Sequence, residues 1–274
     1  MRADRKRRGV AEHTQVHEGS VPYFNSIAEG YFAKYAEDSL GGYIFRERQI
    51  RVRELLADAA GRVLDVGCGP GVMVEDILHL GCDFWGIDGS PQMIVECRKR
   101  FGRLPRAHFS VSNAMALPFP NETFDVVMCI GVIDRMPRPE VAIAEMARVL
   151  RPLGALLISF PNIMSPYTLW RSHVFYVTIG YLKRLIVAAS GRPPQLDLCS
   201  AATLWTLGAA SRMMHRFVGE VKQVVYFNFE LLLSPLDELF PKQALWLARR
   251  LEPLRNSGLR GLGAGFLLKA QKHA

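Results

Sequence analysis

The sequence predicts an α/β protein whose mostly parallel sheet is covered by helices on both faces. Between residues 62 and 160, short and almost continuously apolar runs alternate with patterns of helical spacing. Strands of that kind are buried on both faces, as is typical of parallel sheets in α/β folds. The first apolar run lies in the segment VLDVGCGPG, residues 63–71, where three glycines follow a carboxylate. A glycine-rich turn between a strand and a helix lets a ligand lie against the backbone, so this turn predicts a binding site.

Composition and charge indicate an ordinary globular protein with a basic tail. The 274 residues are 49% hydrophobic and 22% charged, with a net charge of +8. The first ten residues hold five basic residues and one acidic residue. We interpret residues 1–19 as a basic disordered tail rather than a membrane or nucleic-acid contact, and no apolar segment of a secretory signal follows the charges. The five cysteines are scattered without metal-ligand spacing, which predicts no disulfide framework and no metal site and favours a cytoplasmic protein.

Residues 20–60 precede the first strand and predict a helical lid. Their pattern indicates two helices that are joined at Gly41 and Gly42. Bulky residues at helical spacing form one face of the first helix: Phe24, Ile27, Tyr31 and Tyr35. Such a face is suited to cover a site at the edge of the sheet.

The strands of the predicted sheet end in polar residues. RVLDV ends beside Asp65, DFWGID ends at Asp88, and HFSVS leads to Asn113. FDVVMCI, the fourth run, leads to Asp134 and Arg135. Because the carboxyl ends of parallel strands meet at one edge of a sheet, we expect these side chains around a single crevice.

Two of these acidic positions have alternative explanations. Asp88 follows Gly67 by 21 residues, a spacing at which an acidic residue can accept hydrogen bonds from ribose hydroxyls. Its alternative role as a helix N-cap is better served by Ser90, which precedes a proline. For Asp134 and Arg135, a solvated pair at a turn is an equal alternative.

The chain after GALLISF, the fifth apolar run, predicts an elaboration rich in aromatic residues. Its patterns predict helices over 166–189, 200–215 and 236–255, a strand over 221–229 and a final strand, GFLLKAQK. The segment 174–189 is too short and too charged to span a bilayer. We interpret it as a core or lid helix, with a membrane-surface helix or a pocket wall as alternatives.

Five motifs follow one another within residues 60–162: the D-x-G-x-G-x-G turn, an acid that ends the second strand, N-A-x-x-L-P-F, FDVV and RVLRPLGALLISFPN. Together they resemble the class I, Rossmann-like S-adenosylmethionine-dependent methyltransferases. The resemblance implies a methyltransferase domain over 61–274, with a cofactor half over 61–162 and a substrate-binding elaboration over 163–260. It also implies a seven-stranded sheet whose last strand is antiparallel, and S-adenosylmethionine as cofactor with S-adenosylhomocysteine as product.

The resemblance also implies the residues that bind the cofactor. Asp65 would lie near its amino group, and Asp88 would bind its ribose hydroxyls. The full set is Asp65, Gly67, Cys68, Gly69, Gly71, Asp88, Gly89, Met93, Asn113, Ala114, Met115, Cys129 and Ile130. Two positions depart from the family pattern. Asn113 stands where most relatives have Asp, and Asp134-Arg135 stands where relatives commonly have Glu-His, so a histidine base is not available there.

On the acceptor side, a hydroxyl acceptor would benefit from a base, and the candidates are Asp134 and then His173. The residues predicted to contact the acceptor are Tyr23, Tyr31, Arg135, Tyr167, Trp170 and Tyr176. Residues 161–274 hold 14 basic and 6 acidic residues, which favours an acidic acceptor. We therefore expect methyl transfer to an oxygen or nitrogen atom of a small molecule, or of a lipid-linked or glycan acceptor.

Two other functions remain open. A cofactor-binding partner protein without transfer activity fits the altered Asp134-Arg135 pair and Asn113. A peripheral scaffold at the inner face of a membrane fits the basic tail and residues 174–189, and would bind lipid whether or not the cofactor turn is intact. We expect no nucleic-acid partner, because the basic residues are scattered between apolar runs. The sequence leaves the oligomeric state open.

Overall fold

The computed structural model describes residues 20–175, 178 and 203–274. Its strands are β1 (Arg62–Val66), β2 (Asp83–Asp88), β3 (Ala107–Val111), β4 (Phe124–Cys129), β5 (Leu150–Pro161), β6 (Gly219–Phe227) and β7 (Gly265–Lys272). They form one seven-stranded sheet in the order β3-β2-β1-β4-β5-β7-β6. β7 is antiparallel to β5 and β6, and all other neighbouring strands are parallel. The predicted sheet, including its antiparallel last strand, is confirmed.

Helices precede, separate and follow these strands. They are α1 (Ser20–Tyr31), α2 (Leu40–Leu55), α3 (Val74–His79), α4 (Pro91–Phe101), α5 (Pro139–Val149), α6 (Pro166–Leu169), α7 (Leu207–Phe217), α8 (Leu236–Leu239) and α9 (Pro241–Leu251). The shorter turns of helix are Phe32–Tyr35, Ile133–Arg135, Trp170–Phe175, Glu252–Asn256 and Arg260–Leu262. Among the helices that the structure describes, none is long and apolar enough to cross a bilayer.

The core lies in two layers, one on each face of the sheet. Successive side chains of β1 alternate between the layers: Leu64 packs in one, and Val63 packs in the other. Helices α5 and α7 bury their apolar sides in the first layer, and α2, α3 and α4 bury theirs in the second. This covering of both faces explains why the strand segments are almost continuously apolar.

The boundary between the two lid helices does not lie where the sequence predicted it. The expected junction at Gly41 and Gly42 is wrong, since both glycines lie in the first turn of α2. Ser39 caps this helix and accepts a hydrogen bond from Gly42 N at 3.0 Å. A Cβ atom at Gly42 would lie 2.2 Å from the backbone oxygen of Glu37. Gly42 therefore permits a close backbone approach inside the helix rather than a break between helices.

Two predicted C-terminal helices also need correction. The helix expected over 236–255 is divided into α8 and α9, because Pro241 fits only the first turn of a helix. The helix expected over 200–215 begins at Leu207, where the hydroxyl of Thr206 caps it. Of the helix expected over 166–189, the structure describes α6 and the turn that ends at Phe175, and residues 176–177 and 179–202 lie outside the described residues.

Candidate functional site

The glycine turn after β1 is held against β2 by its backbone. Gly67 N and Cys68 N both donate to Ile87 O, at 2.7 and 3.0 Å. Gly67 has a positive φ, and a Cβ atom there would lie 2.4 Å from Val132. Gly69 also has a positive φ, but a Cβ atom there would meet no atom within 4 Å. The turn therefore requires glycine on its inner side and leaves open space beside Gly69, where a ligand can lie against the backbone.

Two carboxylates line the cavity beside this turn. Asp88 accepts hydrogen bonds from Gly69 N at 2.9 Å and from Ser90 N at 2.8 Å. Ser90 is the N-cap of α4, as expected, because its hydroxyl accepts from Met93 N. Asp65 is 4% exposed. Burial, and to a lesser degree the charge of Asp88, raises the pKa of Asp65 to about 8.

A cavity of about 640 Å³ opens beside the turn, and we name it the first cavity. Most of the residues predicted to bind the cofactor line it: Asp65, Gly67, Cys68, Gly69, Asp88, Gly89, Met93, Asn113, Ala114, Met115 and Ile130. Gly71 and Cys129 do not. Gly71 packs beside the Phe101 ring, and Cys129 is fully buried in the core. Side chains that follow the ends of β1, β2 and β3 thus surround one space, as expected for parallel strands.

A second cavity, of about 730 Å³, adjoins the first. The two cavities share part of their walls, which consists of Phe24, Tyr31, Phe45, Arg48, Gly131 and Arg135. Four of the residues predicted to contact an acceptor line the second cavity: Tyr23, Tyr31, Arg135 and Tyr167. Its other aromatic residues include Phe160 and Phe227. A ligand in the second cavity would therefore sit mainly against aromatic rings and would contact residues that also line the first cavity.

The two predicted bases differ in their placement. Asp134 is 9% exposed and lines the second cavity. Burial raises its pKa, although the positive charges of Arg135 and Arg48 oppose this. His173 lines neither cavity. It is exposed and lies 2.8 Å from the Ser172 hydroxyl through Nδ1, so its position does not fit a base for this site.

The remaining predicted acceptor contacts lie elsewhere. Trp170 donates its indole N–H to Ser234 O at 2.7 Å and lines neither cavity. This hydrogen bond fastens the turn after α6 to the segment before α8. Tyr176 lies outside the described residues.

Arg48 is a site residue that the sequence does not reveal. It lines both cavities, and its guanidinium lies over the ring of Phe45, 5.4 Å from the centroid. Gly131 makes room for it, since a Cβ atom there would lie 2.6 Å from Arg48 Nη1. Although burial opposes it, interaction with Tyr35, Tyr31 and Asp134 raises the pKa of Arg48. It is one of several arginines in RERQIRVRE, but it shares the inward face with Phe45 at a spacing of three residues.

A second unexpected group lines the second cavity and not the first. Glu230 lines the cavity and is 8% exposed. Burial raises its pKa to about 7, with Arg171 acting in the opposite direction. Beside it, the Tyr167 hydroxyl donates to Asp237 at 2.8 Å and accepts from Arg171 at 3.2 Å. The wall of the second cavity thus combines aromatic rings with this cluster of polar side chains.

Comparison with known proteins identifies the family of the central segment. A family model described as a methyltransferase domain matches residues 64–158. The demethylmenaquinone methyltransferase of Tropheryma whipplei is 31% identical over 140 residues, which cover 49% of this chain and 56% of that protein. The phosphatidylethanolamine N-methyltransferase of Cereibacter sphaeroides is 37% identical over 101 residues, which cover 36% of this chain and 49% of that protein. The chain therefore spans about half the length of these curated relatives.

A solved structure shows the same fold over a longer range. The magnesium protoporphyrin IX methyltransferase of Synechocystis, with S-adenosylhomocysteine bound, superposes with a TM-score of 0.57 and covers 92% of this chain. The alignment covers 97% of that protein, at 16% identity. The glycine turn, the strand order and the matched domain all indicate the same kind of protein. Residues 64–158 therefore form a methyltransferase domain, and the sheet that contains them has the fold of the class I S-adenosylmethionine-dependent methyltransferases.

Proposed function

We propose that this protein transfers a methyl group from S-adenosylmethionine, held in the first cavity, to an acceptor held in the second. The observation that carries the proposal is the shared wall, since the same residues line both cavities and would contact both ligands. The bound cofactor supplies an electrophilic methyl group on a sulfonium. The protein then has to hold the acceptor atom in line with that group and to exclude water.

The first cavity fits S-adenosylmethionine in its chemistry. Asp65 is a buried carboxylate whose pKa is raised by burial and by the charge of Asp88, and the cofactor's ammonium group would supply a positive charge that favours its ionised form. Gly69 leaves open space over the turn, and Asp88 would accept hydrogen bonds from ribose hydroxyls. Asn113 and Met93 would contact the adenine. Phosphate is not favoured there, because two carboxylates face the turn.

The second cavity favours an apolar acceptor that carries an acidic or polar group. Its aromatic side walls suit a ring or an acyl chain. Its charged residues are four cations and two acids: Lys34, Arg48, Arg135, Arg171, Asp134 and Glu230. Two relatives are named for lipid-soluble acceptors, demethylmenaquinone and phosphatidylethanolamine. We therefore propose transfer to an oxygen or nitrogen atom of a lipid-soluble acceptor.

Asp134 is the residue that we propose as proton acceptor. It lines only the second cavity, so it can face the acceptor without contacting the cofactor. Its raised pKa makes the ionised carboxylate a stronger base than an exposed aspartate. Arg48 and Arg135 lie at the shared wall and would stabilise an acceptor oxygen as it loses its proton.

The proposal is tested by S-adenosylhomocysteine release, with separate extracts of lipids, water-soluble metabolites and RNA as acceptors. We expect release with the lipid extract and its loss in Asp88→Ala, which also removes a support of the glycine turn. The matched control is Glu75→Ala, an exposed acid on α3, which should behave as wild type. Calorimetric binding of S-adenosylmethionine without release from any extract would favour a cofactor-binding partner protein. Failure to bind the cofactor would contradict the assignment of the first cavity.

A further inference from the structure

A patch of large apolar side chains is exposed on the C-terminal elaboration, and we name it the apolar face. It consists of Leu231, Leu236, Leu239, Phe240 and Trp246, with exposed fractions of 42, 45, 66, 49 and 60%. These five residues lie within 16 positions of one another, on and around α8 and α9. A concentration of exposed large apolar residues in one segment is unusual for a surface that contacts only water.

Helix α9 is amphipathic, and Trp246 of the apolar face lies on its outward side. Ala244, Leu245 and Ala248 are buried against the protein. Trp246 is exposed on the other side, between Lys242 and Arg250, each four residues away and also exposed. Arg250 lies over the Trp246 ring, 5.6 Å from the centroid. The outward side therefore combines an aromatic residue with flanking cations, which is typical of helices that lie at a membrane interface.

The segment that carries the apolar face exposes three basic residues and one acidic residue. Lys242, Arg249 and Arg250 are exposed, and Arg249 pairs with the exposed Asp38 at 3.1 Å. Between 231 and 251 the acidic residues are Glu238, which is exposed, and Asp237, which is buried beneath Tyr167. Basic side chains around exposed apolar residues complement a surface that is both apolar and anionic, as an anionic phospholipid bilayer is.

The apolar face is continuous with the wall of the second cavity. Glu230 lines that cavity, and Leu231, the next residue, belongs to the face. Tyr167, another lining residue, is bonded to Asp237 of α8 at 2.8 Å. One short segment thus borders the cavity on its inner side and exposes apolar residues on its outer side.

We propose that the apolar face docks the protein on the surface of an anionic phospholipid bilayer. Trp246, Phe240 and Leu239 enter the interface between headgroups and acyl chains, and Lys242 and Arg250 lie among the headgroup phosphates. Docking in this way places the part of the second cavity that Glu230 lines next to the bilayer. The docking itself does not depend on methyl transfer or on the identity of the acceptor.

Sedimentation of the full-length protein with vesicles tests this proposal. One vesicle is phosphatidylcholine alone, and the other contains phosphatidylglycerol in addition. We expect binding to the anionic vesicles, with a blue shift of tryptophan fluorescence, and weak binding to phosphatidylcholine. The variant Leu239→Ser/Phe240→Ser/Trp246→Ser should reduce the partition coefficient by about tenfold or more, because each removed side chain loses its burial in the interface. All three positions are exposed, so the variant should retain its thermal stability and cofactor binding.

The control variant replaces three other exposed apolar residues, which lie outside the apolar face, on and after the helices that follow β1 and β2. Leu80→Ser/Val95→Ser/Leu104→Ser removes side chains that are 37, 47 and 38% exposed, and should leave vesicle binding within about twofold of wild type. Two charge-reversal variants complete the test. Lys242→Glu/Arg250→Glu should weaken binding to the anionic vesicles, while Arg103→Glu/Arg216→Glu, of equal charge change, should weaken it less.

Several results would overturn the proposal. The first is that wild type binds neither vesicle. The second is that the triple variant of the apolar face binds as wild type does, which would assign binding to the basic tail that all variants retain. The third is that the triple variant converts a dimer into a monomer in sedimentation velocity without an effect on vesicle binding, which would make the face a contact between two copies.

Discussion

Asp65 is the residue whose chemistry depends most on the ligand. The side chain is buried, and its pKa of about 8 means that the free protein holds it protonated at neutral pH. A cationic amine beside it would favour the ionised form, so ligand binding lowers this pKa and expels a proton. The affinity for S-adenosylmethionine should therefore rise as the pH approaches 8.

Calorimetry in two buffers of different ionisation enthalpy measures this proton. At pH 7 we expect release of up to about one proton on binding of S-adenosylmethionine to wild type. Asp65→Asn should release almost none and should bind about 10- to 100-fold more weakly, because a neutral amide replaces a charged partner of the amine. An equal proton release in wild type and Asp65→Asn would remove Asp65 from the amine site.

Asp134 is predicted to affect turnover and not cofactor binding. Asp134→Asn should reduce turnover by about 100-fold, since the amide accepts no proton. The dissociation constant of S-adenosylmethionine should stay the same, because this side chain lines only the second cavity. Glu140→Gln, an exposed acid of α5, serves as control. Unchanged turnover in Asp134→Asn would mean that positioning alone drives transfer.

At the scale of elements, α2 is the lid helix that contributes residues to the site. Its inward residues Phe45, Arg48, Gln49 and Val52 line the first cavity at helical spacing. The helix can sit there because Gly42 accepts close contact with the preceding turn, where the backbone oxygens of Glu37 and Lys34 would lie 2.2 and 2.9 Å from an added Cβ atom. The position of Arg48 therefore depends on a glycine six residues earlier.

The neighbouring glycines of α2 give a matched pair of substitutions. Gly42→Ala should lower the free energy of unfolding by about 1–3 kcal/mol, because backbone oxygens have to move to admit the methyl group. Gly41→Ala should be neutral or should raise it by up to about 1 kcal/mol, since alanine favours the helix and the nearest atom is 3.8 Å away. Urea denaturation measures both. Equal effects at the two positions would contradict the packing described for this turn.

Element prediction from the sequence succeeded where one physical rule dominates. The strands are apolar because both faces of the sheet are covered. Ser90 is a favourable N-cap residue that directly precedes Pro91, and proline favours the first helical position, so Ser90 caps α4. Element prediction failed at two helix boundaries. At Gly42 the contact with Glu37 overrides the tendency of paired glycines to end a helix. Within 236–255 the pattern continued across Pro241, where the structure begins a new helix.

At the scale of the whole molecule, the topology explains which part of the site the sequence could predict. Asp65, Asp88 and Asn113 lie at or just beyond the carboxyl ends of adjacent parallel strands, so strand order alone brings them together. Arg48 and Glu230 come from the lid and from the C-terminal elaboration. Their meeting at the second cavity depends on how these parts pack on the sheet, which no local pattern encodes. The same packing leaves His173 outside both cavities.

The central claim is that a methyl group passes from the first cavity to an acceptor in the second. The most direct measurement uses S-adenosylmethionine labelled in its methyl group, a lipid extract and the full-length protein, and counts label in the organic phase. We predict that wild type moves label into that phase, and that Asp88→Ala and Asp134→Asn do so at least about 100-fold more slowly. Cofactor binding by wild type with no label in any product, from lipid or from aqueous extracts, would contradict the account.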